Sequence, residues 1–547
     1  VRRLVPPLLL ALVQGAALFG ISWDKSDTVD EPFYLENALN QWAKGDLEGN
    51  CDSPALPKWG FGLALRVSDP ELVEHGDTLG HQPIFSRPFP QGRRNLLAAR
   101  STTILVTVLG GLGLFGAALR MGYGPAVLTH ALYVVSPAIL AHGSLATLDA
   151  WATAFAALGI LAGLRALESP RWSRLALFGA VVALGSACKV PLLGLLPVFW
   201  GALLVLKGRK GLLASCLLTL LPFLVVLSGV YLFRFGEVST TNLCGHVTHL
   251  YGDHEFGPLP FAPWIEGILF QGVHGATGHL TYLFGASSEK GWWYFYLAAL
   301  LFKTTLGAQV LFLLAAIALA RVGTPQERLA GALLLAYPLL LLGVMSLGHA
   351  QNGLKYVLPA YPFGILFLSS SLPLAERSWG RRGRGIVLLA ALLSVVESAR
   401  VYPHELMFFN AWAGGPEGGP RILIHGDDWG QDQRRLGAWQ EAHHPWRLYY
   451  TRYNGDPLFW GIRGEEPPCE PAPGYYALHA VEIFRPKRLP RGCLDWLTVE
   501  PPDLRLGYSI YLYQVNKERI ARLEAERGEG HPFWRTGSEP PSPRESR

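Results

Sequence analysis

About eleven stretches of this 547-residue chain are apolar over the length, or nearly the length, that a helix needs to cross a hydrocarbon core of about 30 Å. They run approximately over 4–23, 96–119, 124–141, 147–164, 174–187, 190–206, 211–234, 293–320, 328–347, 354–373 and 385–400. A chain in lipid must satisfy its own backbone groups, so these segments read as helices. The alternating pattern of a membrane barrel is absent. Composition agrees: half of the residues are hydrophobic and 16% are charged, where soluble domains run nearer a quarter charged. The first segment follows Arg2 and Arg3 as a signal peptide would. No small-residue cleavage site comes after it and acidic residues do, so it reads as a retained anchor.

Charge sets the expected orientation. With the N-terminus in the cytoplasm, the inner loops hold Arg2 and Arg3, Arg120, Arg165, Arg171 and Arg174, Lys207, Arg209 and Lys210, Arg321 and Arg328, and Arg377, Arg381, Arg382 and Arg384. Only Glu168, Glu327 and Glu376 oppose them. This is a positive-inside bias, so the formal net charge of +5 needs no nucleic-acid partner to explain it. Three long regions then fall outside: residues 24–95, residues 235–292, and everything after about 400.

The expected organisation is a transmembrane domain over 1–400, an extracytoplasmic α/β domain over 401–527 and a disordered tail over 528–547. The first outer loop contains a helical piece near Pro32–Lys44; the second is dense in aromatics, Gly and His. Loops this long in compact proteins are usually functional or disordered, and the aromatics argue against disorder. In the C-terminal region, strands are expected at Arg421–Ile424, Trp446–Tyr450, Tyr475–Ala480 and Tyr508–Val515, with a helix over Asp432–Glu441. The tail is rich in Pro, Ser, Arg and Glu. Cys51, Cys244, Cys469 and Cys493 all fall outside, where Cys51–Cys244 and Cys469–Cys493 bridges compete with four free thiols.

The chemistry-bearing residues gather at one membrane face. Asp30-Glu31 lies just beyond the first segment. His142 and Asp149 flank the turn between the third and fourth, Lys189 sits between the fifth and sixth, and His349 and Lys355 between the ninth and tenth; Lys303 is about ten residues into the eighth. Carboxylates and cations held beside a bilayer are costly unless they serve a site. Sugar transfer from a lipid-linked phosphate wants both signs. A carboxylate takes the acceptor's hydroxyl proton, a carboxylate stabilises the oxocarbenium-like ring, and lysines or a metal ion hold the departing phosphate. Each residue also has a plainer reading. Asp30 and Glu31 suit the N-terminus of a helix opened by Pro32, Asp149 suits a helix cap, and Lys189 and Lys355 suit snorkelling to the interface. Lys303 is deeper, which calls for a phosphate or carboxylate partner. His246, His249 and His254 share the second loop, where metal binding is a minor alternative.

In these residues the chain resembles the dolichyl-phosphate-mannose–protein mannosyltransferases and the bacterial aminoarabinose transferases, the glycosyltransferase family 39 group with the GT-C membrane fold. The marks are Asp30-Glu31, Ala146-Thr147-Leu148-Asp149, Cys188-Lys189-Val190-Pro191, Trp292-Trp293-Tyr294, Lys303-Thr304 and Lys355-Tyr356-Val357-Leu358-Pro359-Ala360-Tyr361-Pro362. The resemblance implies inverting transfer from a polyprenyl-phosphate sugar on the outer face, with Asp30 as base, Glu31 and Asp149 as supporting acids and Lys189 as a phosphate contact. Lys355-Tyr356 stands where many relatives have Arg-Tyr, and Lys lacks the planar fork of Arg. After residue 400, Phe409-Asn410-Ala411-Trp412-Ala413-Gly414-Gly415-Pro416 and Asp427-Asp428-Trp429-Gly430-Gln431-Asp432 resemble bacterial members with a large outer extension. There Asp428, Gln431 and Asp432 are candidates for binding acceptor hydroxyls or a cation, and Asp428 also suits a helix cap.

The expectation is therefore a polytopic α-helical GT-C-like membrane glycosyltransferase with about eleven transmembrane helices and a small C-terminal α/β domain. It would lie in a bacterial inner membrane, N-terminus cytoplasmic and C-terminal domain periplasmic. It would move a sugar from a polyprenyl-phosphate donor to a protein, lipid or glycan acceptor, with a divalent cation as an optional cofactor and no nucleic acid. One alternative is a secondary transporter, which would gather its charges near the midplane and show repeated halves. Another is a non-enzymatic assembly or receptor protein, which has no need of acids and cations converging at one face.

Overall fold

The computed structural model describes residues 3–48, 51–74, 85–452, 455–486, 489–490 and 492–528. The expected disordered tail lies outside these residues apart from Gly528, which ends a helix over Lys517–Gly528.

Helix α1 (Val5–Asp24) leads into the first long loop, which folds as α2 (Glu31–Lys44), α3 (Ala55–Ser68) and α4 (Pro70–Glu74). The expected helical piece at Pro32–Lys44 is α2. The bundle continues with α5 (Phe89–Ala118), α6 (Tyr123–Val134), α7 (Pro137–Gly143), α8 (Leu148–Glu168), α9 (Trp172–Ser186), α10 (Leu195–Lys207) and α11 (Leu212–Val230). The second long loop holds short hairpins and α12 (Ala262–Thr277). Then come α13 (Phe295–Lys303), α14 (Leu306–Val322), α15 (Pro325–Leu347), α16 (Tyr361–Ser369) and α17 (Ser371–Val401).

Among the described residues, six helices are long and apolar enough to cross a membrane: α1, α5, α8, α10 with its lead-in from Val190, α11 and α15. The pair α6–α7, bent by 56°, and the pair α13–α14, bent by 110°, make eight if each is one span. The other three of the eleven expected segments are helical but short or broken, for local reasons. α9 has 15 residues. The segment 354–373 opens on two 3-10 turns, Leu354–Tyr356 and Leu358–Ala360, after Gly353 in the left-handed region (φ 66°), leaving nine residues to α16. The segment 385–400 is the second half of α17, which turns at Gly380 (φ 59°). The bends follow chemistry as well: Pro137 cannot continue α6, and the Thr305 side chain caps a new start by accepting from the Ala308 N–H. These breaks deliver the ends of α7 and α13, with His142 and Lys303, to the loop-bearing face.

Small residues let the helices meet closely, as in lipid, where packing replaces the hydrophobic effect. A Cβ at Gly179 of α9 would lie 2.0 Å from the Thr219 carbonyl of α11.

The C-terminal region holds a four-stranded sheet in the spatial order Leu448–Tyr450, Gly474–His479, Ile510–Val515, Leu504–Leu506. The first pair is parallel and the others antiparallel. Three expected strands and the helix (observed at Gln433–His443) are present. The expected strand at Arg421–Ile424 is not: Gly419–Arg421 is a 3-10 turn and Leu423 makes only an isolated bridge to Leu283. Pro420 lacks the N–H that a ladder needs. Both disulfides form, Cys51–Cys244 tying the two long loops together and Cys469–Cys493 within the C-terminal region. One apolar core runs from the bundle into that region, taking in Phe409, Leu436, Trp439, Trp460 and Ile510. The compositional change near residue 400 is therefore not a break in packing.

Candidate active site

The site begins with a turn, Lys25 to Asp30, between α1 and α2. Its organiser is Arg100 of α5, fully buried, which donates to the carbonyls of Ser22 (2.8 Å), Lys25 (3.2 Å) and Ser26 (2.7 Å). The same guanidinium grips both oxygens of Glu31 at 2.7 Å. Glu31 also accepts from the Thr28 N–H (2.8 Å), the Thr28 hydroxyl (3.1 Å) and the Ala146 N–H (2.7 Å). A bidentate Arg–carboxylate pair is the strong form of this contact. Glu31 is wholly enclosed, so this half of the acid pair is a clamp between α2, α5 and the start of α8. Glu31, expected as a supporting acid, is thus occupied by donors from Arg100, Thr28 and Ala146.

Asp30 is different. It stands at the N-terminus of α2, yet its side chain makes no capping hydrogen bond. Instead Oδ2 accepts from the Lys355 ammonium at 3.0 Å, and 29% of the side chain stays accessible. Lys189 pairs with Asp149, at the first turn of α8, and donates to the Lys355 carbonyl at 3.1 Å. Its ammonium lies 4.8 Å from the Tyr356 ring centre. Two acids and two lysines from four separate elements thus form one connected cluster. Asp30 and Lys355 line a cleft of about 540 Å3 whose other walls include His279 and Glu289 of the second loop and His425, Trp429 and Arg485 of the C-terminal region.

The remaining candidates divide. His142 is buried, with its ring 5.7 Å from that of Trp429. It lines a second, small cavity with Lys303, Glu405 and Asp427. Lys303 has the carboxylate partner that its depth called for, Asp427, and donates to the Leu406 carbonyl at 2.9 Å. Of the phosphate or carboxylate partner expected for Lys303, the structure shows the carboxylate, and Lys303 is not among the residues that line the cleft. Burial holds the Asp427 carboxyl up at about 6 against that ammonium, and burial lifts Glu405 to about 7. His349 lies elsewhere. Its ring meets the Ala276 carbonyl at 3.0 Å and its backbone N–H donates to the Gly275 carbonyl at 2.8 Å, so it packs against the end of α12 and is not among the residues that line the cleft.

The three C-terminal candidates are buried and spent on structure. Asp428 accepts from the Val481 N–H (3.0 Å), capping the helix Ala480–Phe484, and meets His479 at 3.2 Å. Gln431 closes its own loop through the Trp429 N–H (2.7 Å) and the Asp427 carbonyl (3.0 Å). Asp432 binds Lys25 (2.6 Å) and the Ser509 hydroxyl (2.6 Å). Burial would raise the Asp432 carboxyl, but the Lys25 ammonium and His404 outweigh it and hold it below the usual range. None of the three is among the residues that line the cleft.

The C-terminal region also holds the turn between α1 and α2. The Ser26 and Val29 N–H groups donate to the carbonyls of Gln431 and Trp429, both at 3.0 Å. The Trp460 indole donates to Asp27 at 2.6 Å, and Arg435 grips Asp24 at 2.8 and 3.2 Å. Burial raises the Asp27 carboxyl to about 7, against the pull of the Trp460 hydrogen bond. Two groups of metal-type ligands occur among the described residues. Cys51 and Cys244 with Glu266 have both sulfurs in a disulfide, and Asp24, His404 and Asp432 surround the Lys25 ammonium. The second-loop histidines pack against rings, His246 on Phe270 and His254 on Phe256. Sequence reasoning missed Arg100, although a lone Arg inside an apolar segment is itself a request for a carboxylate. It passed over Trp429, although that residue sits in the Asp427–Asp432 motif, and it missed the polar walls at Glu289 and Arg485, which carry no local signal.

Residues 91–233, which contain Arg100, Asp149 and Lys189, match the family described as dolichyl-phosphate-mannose-protein mannosyltransferase. This part of the helical bundle is therefore similar to that family. Solved structures of similar outline include ArnT from Cupriavidus metallidurans bound to undecaprenyl phosphate, 14% identical, with 94% of this chain and 98% of that chain covered and a TM-score of 0.49. The apo state of the same protein gives 15% identity, the same coverage and the same TM-score. The Archaeoglobus fulgidus oligosaccharyltransferase tethered to an acceptor peptide is 11% identical, with 72% and 54% covered and a TM-score of 0.46. No curated protein matches the chain in sequence.

Proposed function

We propose that this chain is a membrane glycosyltransferase of the GT-C type that moves a sugar from a polyprenyl-phosphate donor to a hydroxyl of a protein, lipid or glycan acceptor, with inversion, at the periplasmic face of a bacterial inner membrane. The observation that carries the reading is the Asp30–Lys355 pair, 3.0 Å apart at the wall of the cleft and joined to Asp149–Lys189 behind it. Asp30 keeps an accessible carboxylate and serves as general base. The acceptor oxygen gives its proton to Asp30 and bonds to the anomeric carbon, while the bond from that carbon to the phosphate oxygen breaks. Negative charge grows on the departing phosphate, and the Lys355 and Lys189 ammonium groups hold it. Asp149 keeps Lys189 in place and adds negative potential near the oxocarbenium-like ring. Glu31 acts through the turn it clamps. The positive-inside pattern supports the orientation, with the long loops and the C-terminal domain on the periplasmic side.

The test is complementation of a deletion strain, read by mass spectrometry of surface glycans and lipid-linked sugars. The wild-type chain should restore the lost glycan. Asp30→Asn, which keeps size and removes the base, should slow transfer by about 10²–10⁴-fold at unchanged protein level. Restoration by Asp30→Asn at the wild-type rate refutes the assignment.

A further inference from the structure

Resting on that reading of Asp30 and Lys355, we propose that Trp429 is a positioning residue of the transfer site. Its indole face sets the Lys355 ammonium against Asp30, so the C-terminal region supplies part of the catalytic centre.

Lys355 rides on a single 3-10 turn and ends in a four-carbon chain that a point charge alone does not fix. Its nearest contacts are the Asp30 carboxylate at 3.0 Å and the Trp429 ring, whose centre is 4.1 Å from the ammonium, against 6.0 Å for the Tyr356 ring. Indole is the best aromatic partner for a cation, and the attraction grows when water is excluded. Trp429 is 3% exposed. Its position is in turn fixed from both sides. Its carbonyl accepts from the Val29 N–H, one residue before Asp30, and its N–H donates to Gln431 at 2.7 Å. The loop around it is pinned by Lys303 at Asp427, by the Val481 N–H at Asp428 and by Lys25 at Asp432. Of the Asp427–Asp432 side chains, Trp429 is the one that reaches the cleft. A single residue therefore touches both the backbone before the base and the side chain that neutralises the leaving group.

Trp429 also fills space, packing with Ala141, Leu145 and Leu406, so the experiment must separate filling from positioning. The probe is undecaprenyl phosphate alone, titrated into the purified full-length chain in detergent and followed by native mass spectrometry. Trp429→Leu and Trp429→Phe both fill the gap with apolar atoms, but only Phe keeps a π face. The expected result is a Kd raised about tenfold by Trp429→Leu, as loss of a desolvated cation–π contact allows, and within about threefold of wild type for Trp429→Phe. Lys355→Met should weaken binding as much or more, and adding Trp429→Leu to it should cost nothing further, because residues acting through one contact are not additive. Equal losses for Leu and Phe, or losses that add in the double variant, overturn the proposal. Wild-type affinity in Lys355→Met instead overturns the reading on which it rests.

Discussion

Lysine–carboxylate pairs recur at this face of the molecule, and two of them differ in what is left over. In the Asp30–Lys355 pair, nearly a third of the acid remains accessible at the wall of a cleft. In the Lys25–Asp432 pair, both side chains are sealed, and Ser509 and His404 take up the remaining valence. The same contrast is repeated within one dipeptide, where Asp30 holds one cation and Glu31 is saturated by Arg100, Thr28 and Ala146. A buried pair with every lone pair satisfied builds structure; a pair with room beside it can take a substrate.

The contrast predicts different failures. Replacing Glu31 with Ala leaves the Arg100 charge buried without its partner, at a cost of about 3–5 kcal/mol. Thermal unfolding in detergent should show the loss as a collapse of folded yield, while Asp30→Asn melts like wild type. Replacing Lys355 with Met should do the reverse, cutting turnover about a hundredfold, within the range for removing one electrostatic contact to a leaving group, with little change in melting. If Lys355→Met unfolds the chain and Glu31→Ala only slows it, the division is wrong.

Acid should reach the sealed pair first in stability. Asp432 is held below its ordinary value, so its contribution is complete above the unfolded carboxylate pKa of about 3.9 and is lost as pH falls from there through its folded value. The melting temperature of wild type should therefore drop below about pH 4, and Asp432→Asn, lower at neutral pH, should show a shallower drop. Glu405 is shifted the opposite way, to about 7. Its unfolded form ionises first, so stability falls as pH rises from about 4.3 toward 7 and levels off above. Glu405→Gln has no proton to lose and should melt roughly 1–2 °C above wild type at pH 8, with the advantage gone at pH 4.

The bundle was legible in the chain because lipid imposes a length and a composition on each crossing. What was not legible was where helices break, at Gly353, Gly380 and the α13–α14 corner, since a broken apolar segment has the same composition as a straight one. The cluster of Asp30, Asp149, Lys189 and Lys355 was legible because loop order and charge bias put all four at one face. Which of two adjacent carboxylates stays open was not: that choice is made by Arg100 and the Ala146 N–H, far along the sequence. The role of Asp427–Asp432 was hidden for the same reason. Its partners are Lys25, Ser26 and Val29, some four hundred residues earlier, and acidic side chains that look like ligands in the sequence are consumed by those contacts.

A structure of the chain with a bound polyprenyl phosphate tests the central claim most directly. The account predicts phosphate oxygens within hydrogen-bonding distance, about 3 Å, of the Lys355 or Lys189 ammonium, with the Asp30 carboxylate facing the same cleft. A phosphate seated elsewhere, with the Asp30–Lys355 pair unchanged and out of reach, contradicts it.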